Sequence, residues 1–200
     1  MQFVETNKDF LTSVKRALNE IDPYYPSLDG LLIGGTHMPE KIEEKIEKIR
    51  IARETGIPFL GICMGMQLMV IEYFRNVLNV PKATSEEFDI LGVPVITKLG
   101  YERNGLHKVS WKGKITQESH WHNYAVRGSV INQLKNNGFY TSLTEDILEV
   151  AKLVKDNFFM GVQFHPEYQS SKLLPHPILK DFITACRLYT AADGRLPSVS

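Results

Sequence analysis

The segment Ile57 to Gly65, Ile-Pro-Phe-Leu-Gly-Ile-Cys-Met-Gly, limits more than any other what this chain can fold into. A short apolar run enters Gly-x-Cys-x-Gly, and a stretch from Met66 to Leu78, apolar around most of a helical circumference, follows at once. Strand, tight turn and helix in that order form a nucleophile elbow, which lifts its central side chain above the end of a sheet. Gly61 and Gly65 leave space where any side chain would collide across so tight a turn. A helix starting at about Met64 aims its free N–H groups and the positive end of its dipole at the Cys63 sulfur, which favours the thiolate. The backbone N–H of Met64 is then one candidate oxyanion donor, and the turn at Gly34-Gly35 is the other. The plainer alternative is a small cysteine filling a crowded strand end.

A thiolate nucleophile needs a proton donor and a group to orient it. Gly161-Val162-Gln163-Phe164-His165-Pro166-Glu167 supplies both kinds of residue. Residues two apart on an extended segment project to one side, so Glu167 is expected to fix the His165 imidazole. Cys63, His165 and Glu167 become the candidate triad.

Around these motifs, short apolar runs alternate with segments of helical period, which predicts an α/β fold with a central, mostly parallel sheet. Helices are expected over residues 7–21, from Pro39 to Gly56, over 66–78 and over 177–189, the last opened by proline. Strands are expected over 30–33 and 57–62, with closing strands over 139–143, 148–153 and 158–164. Runs at 93–97, 108–111 and 124–126, punctuated by Gly100, Gly105 and Gly113, read as an antiparallel extension. No repeat or polar linker divides residues 1–200, so they read as one domain.

Lysine plus arginine equals aspartate plus glutamate at 23 each, so no net charge draws the chain to nucleic acid or an anionic membrane. The longest apolar stretch, Phe59 to Ile71, is broken by Gly, Cys and Gln, and the first ten residues carry Glu5, Lys8 and Asp9; a cytoplasmic protein is expected. Two cysteines make no disulfide framework, and Cys186, in the apolar pattern Ile183, Cys186, Leu188, reads as core. His120-x-His122 has the spacing of two metal ligands, but no third ligand accompanies it.

Gly61-Ile-Cys-Met-Gly-Met-Gln67 together with Gln163-Phe-His-Pro-Glu167 resembles the class I glutamine amidotransferases, and within them the glutaminase domain of CTP synthase. Residues 70–78, Ala83 to Phe88, the His-x-His before Tyr124 and the stretch from Ser170 to Pro177 fit that pattern, over about residues 5 to 185. The resemblance implies a flavodoxin-like three-layer sandwich. It also implies hydrolysis of glutamine to glutamate and ammonia through a γ-glutamyl thioester, with no metal or organic cofactor. It gives Gly34, Gly35 and Met64 the oxyanion hole, and Gln67, Glu87, Asn123 and Tyr124 the substrate head group.

Three departures bear on that implication. Gly34-Gly35-Thr36-His37 replaces the family's Gly-Gly-Phe-Gly, and Glu118-Ser-His-Trp-His-Asn-Tyr124 lacks its three arginines, at Ser119, Trp121 and Asn123. The resemblance pairs the last of these with the glutamine carboxylate, and asparagine offers no charged fork. No Gly-x-x-x-x-Gly-Lys-Ser/Thr phosphate loop of a synthase is present. The N-terminus is short, as though a central strand were clipped to a stub at Gln2 to Val4. Three readings stay open: a glutaminase serving a separate synthase subunit or a homo-oligomer, a free-standing hydrolase of another γ-glutamyl or small amide whose far end meets His37, Trp121 and Asn123, and a non-catalytic regulatory relative.

Overall fold

A computed structural model describes residues 4–5, 8–36, 39–89, 91–155 and 158–192. Its main sheet has six strands in the order β1 (Val4–Glu5), β2 (Leu31–Ile33), β3 (Phe59–Ile62), β9 (Phe159–Val162), β8 (Ile147–Leu153) and β7 (Phe139–Thr144). The first four run parallel, and β8 and β7 close the sheet antiparallel. A second sheet joins β4 (Ala83–Ser85), β5 (Val93–Trp111) and β6 (Lys114–Ala125), with β5 and β6 antiparallel.

Alternation along the inner strands builds two cores from one sheet. Leu31, Ile33, Phe59 and Phe159 face one side, where they meet α2 (Ile42–Thr55), α3 (Met64–Asn76) and α4 (Ser129–Asn136). Leu32, Leu60, Ile62, Met160 and Val162 face the other, against α1 (Lys8–Ile21) and α5 (Pro177–Ala192). The result is the three-layer α/β sandwich expected. Every residue of α3 from Met64 to Phe74 is buried, which explains why its sequence lacks a polar face.

Several expectations need correction. The short first strand lies at the edge of the six-stranded sheet, pairing Val4 with Leu32, and not at its centre; Gln2 and Phe3 fall outside the described residues. Pro39 precedes α2 rather than opening it, because Lys41 sits in the left-handed region at φ 54° and breaks the path into the helix. Gly56, also left-handed, ends that helix as expected. The middle runs fuse into one long hairpin of β5 and β6, β4 was not foreseen, and neither was α4, whose eight residues carry too few apolar positions to stand out. Cys186 is buried, but Leu188 points to solvent at 69% exposure.

Candidate active site

Cys63 stands between β3 and α3 with φ 53° and ψ −107°, a conformation L-residues rarely adopt. Such a strained non-glycine residue persists only where its surroundings over-determine it. Here they do: the Cys63 N–H donates to the Val162 carbonyl at 2.8 Å, and the Cys63 carbonyl accepts from Met66 and Gln67. Gly65 lets the helix close on the sheet, since a Cβ there would lie 1.9 Å from the Ile33 carbonyl oxygen. The elbow read from the sequence is present in full.

The strand β9 brings the second half of the motif alongside. His165 Nδ1 lies 2.8 Å from Glu167 Oε1, and both side chains are fully buried. The geometry is not the extended one expected, because Pro166–Tyr168 forms a 3₁₀ turn that folds the carboxylate back on the ring. A Cβ on Gly35 would meet His165 Cε1 at 2.8 Å and Cys63 Cβ at 3.3 Å. The Gly34-Gly35 turn, the thiol and the imidazole therefore converge on one point. Burial pushes the His165 pKa down, but the Glu167 charge, hydrogen bonding with Cys63 and Glu167, and the Cys63 charge overcome it and raise it to about 10. His165 is thus held as an imidazolium at neutral pH.

A cavity of about 310 Å³ opens beside Cys63. Met64, Gln67, Glu87, Asn123 and Tyr124 line it, so the expected head-group residues are brought together. Gln67 is braced, its Nε2 donating to the Tyr124 carbonyl at 2.9 Å and to Gln163 Oε1 at 3.3 Å. Burial raises the Glu87 carboxyl above the usual carboxylate range. Trp121 and Asn123 stand at the mouth, both exposed, and His37 lies outside the described residues.

Sequence reasoning missed six contributors, among them His122, which lines the cavity and whose spacing suggested only a metal ligand. Thr36, Glu102 and Asn104 also line the cavity. Gln163 Nε2 approaches Cys63 Sγ at 3.7 Å; strand alternation from His165 was the signal that could have found it. Arg16 of α1 donates to the carbonyls of Glu167 and Ser170 and clamps the turn behind the imidazole. Glu102 owes its place to a bulge: five residue steps from Lys98 to Arg103 face only two from Tyr124 to His122.

Beneath the cavity lies a buried polar network. Arg103 Nη2 donates to Glu149 Oε1 at 2.7 Å, His120 Nε2 lies 2.9 Å from Glu149 Oε2, and His176 Nε2 lies 3.3 Å from Glu118 Oε1. His120 is occupied in this way, and His122 Nδ1 donates to the Tyr124 carbonyl at 2.9 Å. Among the described residues no group of three or more His, Cys, Asp or Glu could hold a metal ion, and no helix is long and apolar enough to cross a membrane.

The sheet between its two helical layers thus carries Cys63 at the elbow with His165 and Glu167 beside it. Residues 9–185 match the family model "Glutamine amidotransferase class-I", and the chain belongs to that family. Its similarity within the family is to CTP synthases. That of Pelagibacter ubique is 35% identical over 215 residues, which take in 92% of this chain and 40% of that protein. That of Phytoplasma australiense is 38% identical over 210 residues, 94% of this chain and 37% of that one. The chain therefore spans about two-fifths of the length of these relatives. The glutaminase domain of Trypanosoma brucei CTPS, solved with bound acivicin, superposes with a TM-score of 0.79, covering 93% of this chain and 92% of that one at 23% identity. A putative GMP synthase subunit from Thermoplasma acidophilum superposes with a TM-score of 0.61, over 97% and 98% of the two chains, at 19% identity. At these identities both likenesses are of fold.

Proposed function

We propose that this chain is a cysteine amidase that releases ammonia from glutamine or a γ-glutamyl compound. In the reaction, Cys63 Sγ attacks the carboxamide carbon, and the backbone N–H groups of Met64 and of the Gly34-Gly35 turn stabilise the oxyanion. The His165 imidazolium gives its proton to the nitrogen as the C–N bond breaks and ammonia leaves. His165, now neutral, takes a proton from water as the water oxygen attacks the thioester; the C–S bond breaks, the carboxylic acid leaves, and the Cys63 thiolate and the His165 imidazolium are restored. Glu167 holds the ring in register throughout and stabilises its charged form. No step calls for a metal or organic cofactor.

The observation that carries this reading is the convergence of Cys63, Gly35 and His165 within contact distance beside an open cavity. A cytoplasmic glutaminase that passes ammonia to a separate synthase, as part of pyrimidine nucleotide synthesis, is the role that kinship with CTP synthases supports. A purely regulatory relative has no need of a strained cysteine facing a carboxylate-held imidazole. Intact-protein mass spectrometry with glutamine and a panel of small γ-glutamyl amides should reveal an acyl adduct on Cys63. Cys63→Ala should keep the fold by circular dichroism and lower ammonia release at least 1,000-fold, roughly the scale on which removing a catalytic nucleophile acts. Substantial turnover by this variant would refute the assignment.

A further inference from the structure

The described lining of the cavity beside Cys63 offers no lysine or arginine to meet the carboxylate of an amino acid. Two carboxylates, Glu87 and Glu102, line it. Strand alternation is the reason: Glu102 and Asn104 take the cavity face of β5, while Arg103 between them turns beneath and is spent on Glu149. Asn123, at the cavity mouth, is uncharged.

A third acceptor stands with the carboxylates. His122 lines the cavity, is only 6% exposed, and has its Nε2 buried with no hydrogen-bond partner among the described residues. Its Nδ1 proton is given to the Tyr124 carbonyl, so the other nitrogen presents a lone pair. Burial, then the charges of His120, Arg103 and His165, lower its pKa to about 3, against an opposing pull from the Tyr124 carbonyl. The ring therefore stays neutral and accepting. A buried acceptor without a donor lowers stability unless a ligand supplies one. Burial also raises Glu87 with no cation to oppose the effect, which a bound cation would do.

We propose that the site takes primary carboxamides whose far end carries an ammonium group and no carboxylate, with the ammonium held by Glu87 and Glu102 and donating to His122 Nε2. The proposal rests on amide hydrolysis at Cys63, and narrows its substrate. The volume of about 310 Å³ fits a small amide of this kind. A glutamine molecule would bring its carboxylate against two like charges and an uncharged Asn123.

The test is ammonia release from three amides that share the reacting group: 4-aminobutanamide, with an ammonium alone; L-glutamine, with both charges; and glutaramic acid, with a carboxylate alone. We expect kcat/KM for 4-aminobutanamide to exceed that for glutamine at least tenfold, with glutaramic acid slower still. Glu102→Gln should raise KM for 4-aminobutanamide several-fold with kcat within about twofold, and Asn123→Arg should shift the ratio toward glutamine at least tenfold. Glutamine consumed as fast as 4-aminobutanamide, or faster, overturns the proposal and leaves the amidase intact. If none of the three is consumed and no acyl adduct forms on Cys63, the amidase reading falls and this inference falls with it.

Discussion

His165 and His122 are buried imidazoles of one site, and their neighbours drive them in opposite directions. His165 has Glu167 at 2.8 Å, and its pKa rises from 6.5 to about 10; His122 is buried and faced by the charges of His120, Arg103 and His165, with only a backbone carbonyl opposing them, and its pKa falls to about 3. The two should mark the pH dependence of stability with opposite signs. The stability His165 contributes as a cation is fully present below about pH 6.5, the unfolded value, and is lost as pH rises toward 10. For His122 the unfolded chain binds the proton more readily, so stability falls as pH drops from about 6.5 toward 3. Urea unfolding should therefore show the advantage of wild type over His165→Gln shrinking from neutral to alkaline pH. His122→Gln should lose less stability than wild type on acidification; equal acid sensitivity would show that His122 does not govern that limb. The pairing of His165 with Glu167 was legible as a motif. The neutrality of His122 was not, because it depends on which groups the fold places around the ring.

At the scale of elements, the elbow works because helix α3 meets strand β2 with no side chain between them. Gly65→Ala would drive its Cβ into the Ile33 carbonyl, whose position the β2–β3 ladder fixes. Overpacking against fixed backbone lowers stability by about 1–3 kcal/mol, and here it must also displace Cys63. Lower stability in urea together with loss of acylation is expected; unchanged acylation would mean that the elbow tolerates a wider gap. The elements that carry strong periodicity, from β3 through α3 and from β9 to α5, were readable in the sequence. The long hairpin was not. Its strands β5 and β6 carry Gly100 and Gly105 and many exposed positions, so they broke into fragments when judged by local pattern, although cross-strand pairing from Arg103 to Trp111 holds them together. The antiparallel extension was expected but residues 98–107 were not read as strand, so Glu102 and Asn104 could not be assigned to the cavity.

The whole molecule sorts its two thiols, which share one core on the same side of the sheet, by what they face. Cys186 sits within the core between α1, α5 and the sheet, where burial, then the charge of Asp29, pushes its thiol far above the ordinary range. Cys63 is 7% exposed and borders the cavity. Alkylation by iodoacetamide should label Cys63 in the native protein and reach Cys186 only when that core opens, so the Cys186 rate should follow global unfolding as urea is raised. Early labelling of Cys186 would reveal that the α1–α5 layer opens independently. Both the position of Cys186 in an apolar pattern and that of Cys63 between glycines were visible in the chain; that the two share one core, with Cys63 bordering the cavity, required the fold.

The bulge between Lys98 and Arg103 has a bearing on how such a molecule can diversify. Its surplus residues act as slack, so the rim strand can be lengthened, shortened or reshaped there while the ladder from Val93 to Lys98 keeps its phase with the body. A few rim positions can in this way be edited while Cys63, His165 and Glu167 on the neighbouring sheet keep their places.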